Sequence, residues 1–258
     1  MKFMINDSSV LDAYLAEEIK IDHVRNEFLK SHPDFDYGSR ANKWNKRVLN
    51  RWAGLTEMDF KIPASFLKPY DISAEEFFEA KTALKYQMRG YSCLRELIRM
   101  AHLCPEVLDE KTHYHVLELS SGPCGNVEVL PEYNNTVQAT DFLDGLGSAY
   151  IPIHRALGIA PLHFNGSILP YGFGDKSYDY VLSYQAIDAY GPPRKFPRFA
   201  AEMARIARKK VILIMNPHRG GEERRQWFYG ELRKVYPKVV VDQCPDTSHP
   251  AVIIHLVE

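Results

Sequence analysis

The sequence lacks an excess of charge of either sign. Its 258 residues include 32 basic and 33 acidic side chains, for a formal net charge of −1. Charge alone therefore gives no reason to expect nucleic acid or an anionic membrane as a partner. A run of ~18 apolar residues, which a membrane-spanning helix needs, is also missing. Because Asp7 follows the start too closely for a signal peptide, we expect a cytoplasmic protein.

Cysteines are few and widely separated. Cys93, Cys104, Cys124 and Cys244 include no C-x-x-C pair. This spacing favours reduced thiols over a disulfide framework or a zinc site, and we expect no metal. The apolar content of 45% is that of an ordinary globular protein. The length allows one large domain, or a domain with an extension.

The first part of the chain is predicted to be helical. Ser9 to Leu29 carries an apolar stripe at helical spacing, and Ser73 looks like the N-cap of a later helix. The run from Arg40 to Arg51 is basic and contains no acid. With Trp44 and Trp52 it could hold phosphate, an anionic small molecule or single-stranded nucleic acid. It could equally be a solvated helix face with both indoles docked inward.

One stretch dominates the sequence: the apolar run His115 to Leu119, followed by S-S-G-P-C-G. A strand that enters a glycine-bearing turn and then a helix lets backbone approach a nucleotide closely. Glu118 is the charged residue inside this strand. Its carboxylate is hard to explain as core, and it could accept hydrogen bonds from a ligand's ammonium or hydroxyl groups.

This stretch resembles motif I of class I S-adenosylmethionine-dependent methyltransferases, an acidic residue followed by G-x-G-x-G. Ser120 and Cys124 stand at the first and third glycine positions, while Gly122 and Gly125 remain. The resemblance implies that Glu118, Ser120, Gly122 and Gly125 bind S-adenosylmethionine. We expect Gly122 to lie against this ligand or to adopt a backbone angle that other residues avoid.

Asp141 ends the next predicted strand, 23 positions beyond Glu118. A Rossmann-type fold places its ribose-binding acid at about 20 residues from the turn. Asp141 is therefore predicted to bind ribose hydroxyls, although an aspartate that caps a helix would look the same. Phe142 would sit at the rim of the ligand, either stacked on it or simply packed.

A second segment strengthens the resemblance. Methyltransferases commonly contain D-x-S-[FY]-D-x-[VI]-x-S, which Asp175 to Ser183 matches position for position. Before it, the resemblance implies cofactor contacts from Asn165, Gly166 and Ser167, and from Ser183 at the end of the strand. Ser167 replaces the usual aspartate at the adenine amino group, but its hydroxyl can still accept a hydrogen bond.

The same resemblance covers residues 111–258. Strands that alternate with helices argue for a parallel sheet, and the family adds the details of the fold. We expect an α/β protein with a Rossmann-like, mostly parallel seven-stranded sheet and an antiparallel C-terminal strand. The last two strands should pair antiparallel at the sheet edge.

Residues 1–110 would form a helical N-terminal cap. In similar methyltransferases the element that leads into the sheet folds over the cofactor. Tyr86 and Arg89 are therefore candidates to meet the methionine carboxylate. The alternative is an exposed arginine among ordinary core tyrosines.

Acceptor contacts in this family come from the ends of the fourth and fifth strands. These positions hold Tyr184, Gln185, Asp188, Tyr190, Asn216 and His218. Methyl transfer mainly requires alignment, while an oxygen acceptor usually needs a general base. We take His218, Asp188 and Tyr184 as catalytic candidates, although His218 could be merely solvated and Asp188 could cap a turn.

The resemblance implies an enzyme, an S-adenosylmethionine-dependent methyltransferase that transfers a methyl group to oxygen or nitrogen. Because the chain is near neutral and its predicted cap is large and aromatic, we expect a small-molecule acceptor, which could be anionic. The absence of D/N-P-P-Y at Ser183 to Ala186 argues against DNA adenine or protein glutamine as acceptor. Two alternatives remain open. S-x-G-x-x-G also approximates a dinucleotide fingerprint, so the chain could be an NAD(P)-dependent oxidoreductase. It could also be a non-catalytic member that keeps the fold as a binding subunit.

Overall fold

The computed structural model describes residues 96, 99–122, 124–145, 150–151, 154, 158–216, 221–244 and 249–256. Several predictions concern other parts of the chain and lie outside these ranges: the helix from Ser9 to Leu29, the Arg40–Arg51 run, Tyr86, Arg89 and His218. No helix within the described ranges is both long and apolar enough to cross a membrane.

A seven-stranded sheet forms the centre of the molecule. In chain order the strands are β1 His115–Leu119, β2 Thr136–Asp141, β3 Leu162–His163, β4 Tyr178–Tyr184, β5 Ala207–Ile214, β6 Lys238–Gln243 and β7 Pro250–His255. Their spatial order is β3-β2-β1-β4-β5-β7-β6. The first five strands are parallel, whereas β7 is antiparallel to both β5 and β6. The predicted Rossmann-like sheet is confirmed.

The last strands differ from the expectation in one detail. β6 and β7 do form an antiparallel pair. However, β7 lies inside the sheet between β5 and β6, so β6 alone is at the edge. The burial of the two strands fits this order, because four of the six residues of β7 are buried and none of the residues of β6 is.

Helices follow β1, β4 and β5. They are α1 Gly125–Val129, α2 Ile187–Tyr190, α3 Phe196–Ile206 and α4 Gly221–Val235, with 3-10 turns at Pro105–Leu108, Leu130–Tyr133 and Pro193–Lys195. A further helical segment ends at Leu103. Pro131 is the second residue of the 3-10 turn Leu130–Tyr133, which follows α1. Proline is tolerated in a first turn, where its missing N–H has no partner to lose.

Both faces of the sheet are covered, which is why its central strands are rich in buried apolar residues. Successive side chains of β5 alternate between two clusters: Val211 and Leu213 lie in one, Ile212 and Ile214 in the other. The first cluster contains α3 and α4, and the second contains the segment around Met100. α3 contributes its stripe at helical spacing, Phe196, Phe199, Ala200 and Met203.

The strand order creates a crevice at one end of the sheet. β1 has β2 on one side and β4 on the other. The connections therefore leave β1 and β4 in opposite directions, and parallel sheets bind ligands at such a switch point, outside the carboxyl ends of the strands. The turn after β1 and the loops after β2, β3 and β4 all lie at this end.

The opposite end, where β4 and β5 begin, is held by Arg205. Its guanidinium donates to the carbonyls of Tyr171 at 2.9 Å and Phe173 at 2.8 Å. It also pairs with the carboxylates of Glu202 at 2.8 Å and Asp175 at 2.6 Å. The hydrogen bond from Arg205 lowers the pKa of Glu202. This arginine fastens the loop before β4 to the end of α3.

Candidate ligand-binding site

The turn after β1 keeps a glycine-like backbone at three alternate positions. The φ angles are 55° at Ser120, 50° at Gly122 and 59° at Cys124. All three lie in the left-handed region, which costs a residue with a side chain roughly 1–2 kcal/mol. Ser120 and Cys124 therefore depart from G-x-G-x-G in side chain but not in backbone. Gly122 adopts the backbone angle that the sequence led us to expect.

Thr140 in β2 holds this turn in place. Its hydroxyl accepts from Ser120 N at 3.1 Å and donates to the Glu118 carbonyl at 3.1 Å. Its backbone carbonyl accepts from Ser121 N at 2.8 Å. Strained conformations persist where the surrounding contacts determine them fully. Thr140 supplies such contacts, and the next residue in the strand is Asp141.

A second group covers the turn at Gly122. His154, which is buried, donates from Nε2 to the Gly122 carbonyl at 2.6 Å. The Tyr150 ring lies over the glycine, since a Cβ built there would be 3.5 Å from its Cε2. Cys124 Sγ donates to the same carbonyl at 3.5 Å. Protein therefore occupies this side of the turn, and a ligand must approach from another side.

Glu118 is buried at the end of β1, only 4% exposed. Asn126 in α1, fully buried, donates from Nδ2 to Glu118 Oε1 at 2.7 Å. A buried carboxylate needs hydrogen bonds, and this amide orients the side chain. The predicted ligand contact of Glu118 stays a prediction.

Asp141 is also buried, at the carboxyl end of β2. Its Oδ1 accepts from the backbone N–H of Phe142 at 2.9 Å. The Phe142 ring packs on Gly145, where a Cβ would lie 2.3 Å from the ring, and against His163 at a centroid distance of 5.7 Å. The structure thus places both predicted residues beside the turn. Phe142 is only partly buried, so a ligand could still reach the ring.

The loop after β3 contains the other predicted cofactor residues. Asn165 Oδ1 accepts from Ser167 Oγ at 2.6 Å and from Ser167 N at 3.0 Å. Gly166 packs flat on Tyr190, because a Cβ there would lie 2.3 Å from the tyrosine ring. Ser167 is exposed, so its side chain is accessible even though the hydroxyl already has a partner.

Tyr190 connects three of these elements. It lies in α2, after β4, and its ring rests on Gly166 in the loop after β3. Its hydroxyl hydrogen-bonds Ser120 Oγ in the turn after β1 at 2.9 Å. Burial raises the pKa of the phenol, and the nearby Asp141 carboxylate raises it further.

Tyr184 faces the helical segment before β1. Its hydroxyl donates to Met100 Sδ at 3.6 Å, and its ring lies 5.6 Å from the Arg99 guanidinium. Arg99 pairs with Glu96 at 3.0 Å, and both are buried. Burial raises the pKa of Tyr184 well above its ordinary value, as does the charge of Glu96. Tyr184 is therefore a neutral phenol at physiological pH, which does not suit the role of general base.

The remaining candidates lie at the ends of β4 and β5. Ser183 is fully buried and pairs in register with Leu119. The carboxylate of Asp188 accepts from the backbone N–H of Asn216 at 3.0 Å, which joins the loops after the two strands. Gln185 is exposed, with φ at 55°. A catalytic role for Asp188 stays a prediction.

Four features that support the candidate site were not predicted from the sequence. They are Thr140, Asn126, His154 and the Glu96–Arg99 pair. Asn126 alone gave a signal, because a polar residue just inside a helix after a glycine turn is placed to meet the strand before it. The others depend on contacts between distant positions. Among the residues the structure describes, no three His, Cys, Asp or Glu side chains form a group that could hold a metal ion.

Comparisons with known proteins find similarity to solved structures alone. No family model and no curated protein matches the chain. Similar solved structures include an O-methyltransferase family protein from Burkholderia thailandensis, 14% identical with a TM-score of 0.49, over 83% of this chain and 70% of that one. The 1,6-didemethyltoxoflavin-N1-methyltransferase of the same organism is 13% identical with a TM-score of 0.48, over 79% and 94%. Magnesium protoporphyrin IX methyltransferase from Synechocystis is 14% identical with a TM-score of 0.44, over 86% and 97%.

Proposed function

We propose that this protein is an S-adenosylmethionine-dependent methyltransferase acting on a small-molecule acceptor. The observation that carries the proposal is the left-handed S-x-G-x-C turn after β1, joined through Thr140 to the acidic end of β2. The chemistry of the donor set fits this cofactor. Glu118 and Asp141 are buried carboxylates at the same end of the sheet, and carboxylates accept hydrogen bonds from an ammonium or from ribose hydroxyls.

The strand order favours this cofactor over a nicotinamide dinucleotide. Dinucleotide-binding Rossmann sheets have the order 3-2-1-4-5-6 with parallel strands. Here β7 is inserted antiparallel between β5 and β6. This arrangement supports the methyltransferase resemblance, so the oxidoreductase alternative loses weight. The non-catalytic alternative draws on the missing glycines and on Ser167 in place of aspartate, and its first ground weakens because the turn keeps its backbone without the glycines.

In the proposed mechanism, Glu118 would accept hydrogen bonds from the ammonium of the cofactor, and Asp141 from its ribose hydroxyls. When bound, S-adenosylmethionine would supply a methyl group activated by a sulfonium. The residues after β4 and β5 would align the acceptor with this methyl group, and alignment of this kind can lower the barrier by several kcal/mol. For an acceptor that must lose a proton, Asp188 and His218 are the proposed bases. Tyr184 remains protonated, and donating to the acceptor would replace its hydrogen bond to Met100 Sδ.

Two measurements test the proposal. Calorimetry of the full chain should detect 1:1 binding of S-adenosylhomocysteine and none of NADH at the same concentration. The opposite preference would contradict the proposal in favour of the oxidoreductase. Incubation with methyl-labelled S-adenosylmethionine and a metabolite extract should then transfer label to a small molecule. Binding without any transfer would favour the non-catalytic alternative.

A further inference from the structure

Ser120 combines two unfavourable features for its position. It adopts a left-handed φ of 55°, which glycine would adopt without strain, and it carries a polar side chain into a part-buried environment. Backbone strain of this kind tends to be retained at functional sites. The contact that this side chain makes is its hydrogen bond to Tyr190.

The hydroxyl of Tyr190 makes a contact that a residue of the hydrophobic core does not need. Its ring is buried against Phe164 and Phe199 at centroid distances of 5.8 Å each. These contacts would be the same for phenylalanine. The hydroxyl adds the bond to Ser120, beside the charge of Asp141. The ring also occupies the space above Gly166, which no side chain at that position could share.

We propose that Ser120 and Tyr190 form a positioning pair, which fixes the turn after β1 relative to the loop Asn165–Ser167 and so sets the width of the ligand crevice. The role rests on the proposed function, because these two segments are the proposed walls of the cofactor site. Tyr190 reaches one wall through its hydroxyl and the other through its ring.

The hydrogen bond between Ser120 and Tyr190 fixes the turn after β1 to α2. With glycine at position 120, the turn would have the same backbone angle available but no bond across to α2. The serine hydroxyl supplies that bond at the cost of backbone strain. The stability of the apo protein and its affinity for the cofactor should therefore respond in opposite directions when Ser120 becomes glycine.

The test uses the full chain and S-adenosylhomocysteine as the probe. Tyr190→Phe removes only the hydroxyl, and Ser120→Ala removes only its partner. Each should raise the dissociation constant about fivefold, the loss expected for one hydrogen bond. The double variant should be no weaker than either single variant, because both remove the same bond. Tyr229→Phe is the matched control. It removes a buried hydroxyl that has no hydrogen-bond partner among the described residues, and affinity should not change.

Ser120→Gly separates positioning from plain structural support. We expect this variant to unfold at a urea concentration equal to or higher than the wild type, and still to bind S-adenosylhomocysteine about fivefold more weakly. A pair that only supports the fold would give unchanged affinity once the strain is relieved. Ser120→Gly and Ser120→Ala also provide the answer if Tyr190→Phe does not fold.

Three results would overturn the inference: affinity within twofold of wild type for Tyr190→Phe, additive losses in the double variant, or unchanged affinity of Ser120→Gly. Failure of the proposed function gives a different result, since the wild-type chain itself would then not bind S-adenosylhomocysteine. In that case the positioning role falls together with the function.

Discussion

The two ends of the sheet are built in different ways. At the carboxyl end, Ser120, Cys124 and Gln185 have left-handed backbones, and Glu118 and Asp141 are buried carboxylates. At the amino end, charged groups are paired and several are open to solvent. Arg205 alone satisfies two carbonyls and two carboxylates there.

This difference indicates that the two ends of the sheet have separate roles. Strain and buried charge lower stability, and they persist where function requires them. At the amino end, left-handed backbones occur at Asn134, a residue type that tolerates them, and at Lys176, with φ of 64° and 52°. The buried carboxylate there, Asp179, is paired with Arg208. We interpret the amino end as the part that stabilises the sheet, and the carboxyl end as the part that binds the ligand. Variants at each end should therefore affect different measured quantities.

The largest expected effect is on stability, at the amino end. Arg205→Ala removes charge-assisted bonds to the Tyr171 and Phe173 carbonyls and leaves Glu202 without its cation. We expect a loss of about 3 kcal/mol in the free energy of unfolding, since a hydrogen bond to a charged group contributes about 1.5–3 kcal/mol and the set is not additive. Urea denaturation measures the loss. Arg198→Ala, at an exposed position on the same helix, is the control. Equal stability of the two variants would contradict the stabilising role.

The next effect is on affinity, at the carboxyl end. Asp141→Ala should weaken binding of S-adenosylhomocysteine by about 1.5–3 kcal/mol, because the ribose hydroxyls lose a charged acceptor. Calorimetry measures the change, and circular dichroism checks that the variant is folded. Asp144→Ala removes a nearby exposed carboxylate and should bind normally. Unchanged affinity in folded Asp141→Ala would refute the ribose assignment.

Gly166→Ala should affect both the free energy of unfolding and the affinity for S-adenosylhomocysteine. The added methyl group would lie 2.3 Å from the Tyr190 ring, so the ring or the loop must move. We expect a loss of about 1–3 kcal/mol in stability, the usual range for overpacking, together with weaker binding. The control is Gly172→Ala, where nothing lies within 4 Å of the new Cβ. If both variants behave alike, the packing of Tyr190 on Gly166 has no role in shaping the crevice.

The smallest expected effect is a gain in stability. Lys176 is exposed and has a left-handed backbone in the loop held by Arg205. Lys176→Gly relieves strain of roughly 1–2 kcal/mol, partly offset by the greater entropy of glycine in the unfolded chain. We expect a net stabilisation of up to about 1 kcal/mol in urea denaturation, with unchanged affinity for S-adenosylhomocysteine. A loss of stability would mean that the lysine side chain itself contributes.

The sheet was predictable from the sequence because buried parallel strands read as short apolar runs. β4, for example, was expected within the matched segment Asp175 to Ser183, and the strand runs from Tyr178 to Tyr184. The position of β7 was not predictable, since an apolar run indicates burial without indicating which neighbour a strand will choose. The predicted edge pair therefore became one inserted strand and one edge strand.

The site was predictable in outline, while its supporting contacts were not. The acid inside β1 and the acid at the end of β2 follow from spacing along the chain. That Ser120 and Cys124 would keep a glycine-like backbone does not follow from their identities, because side chains disfavour it. The strained turn depends on Thr140, and the crevice on Tyr190 meeting Gly166. These contacts join residues about 20 positions or more apart, which local sequence patterns do not encode.

The central claim is that the carboxyl end of the sheet binds S-adenosylmethionine while the amino end only stabilises the fold. The most direct measurement compares backbone amide chemical shifts of the wild-type chain with and without saturating S-adenosylhomocysteine. We predict that the large shift changes fall on Ser120 to Gly122, on Cys124 and Gly125, on Asp141 and Phe142, and on Asn165 to Ser167, while Tyr171 to Ser177 and Arg205 hardly change. Large changes around Arg205, or none anywhere at saturating ligand, would contradict the account.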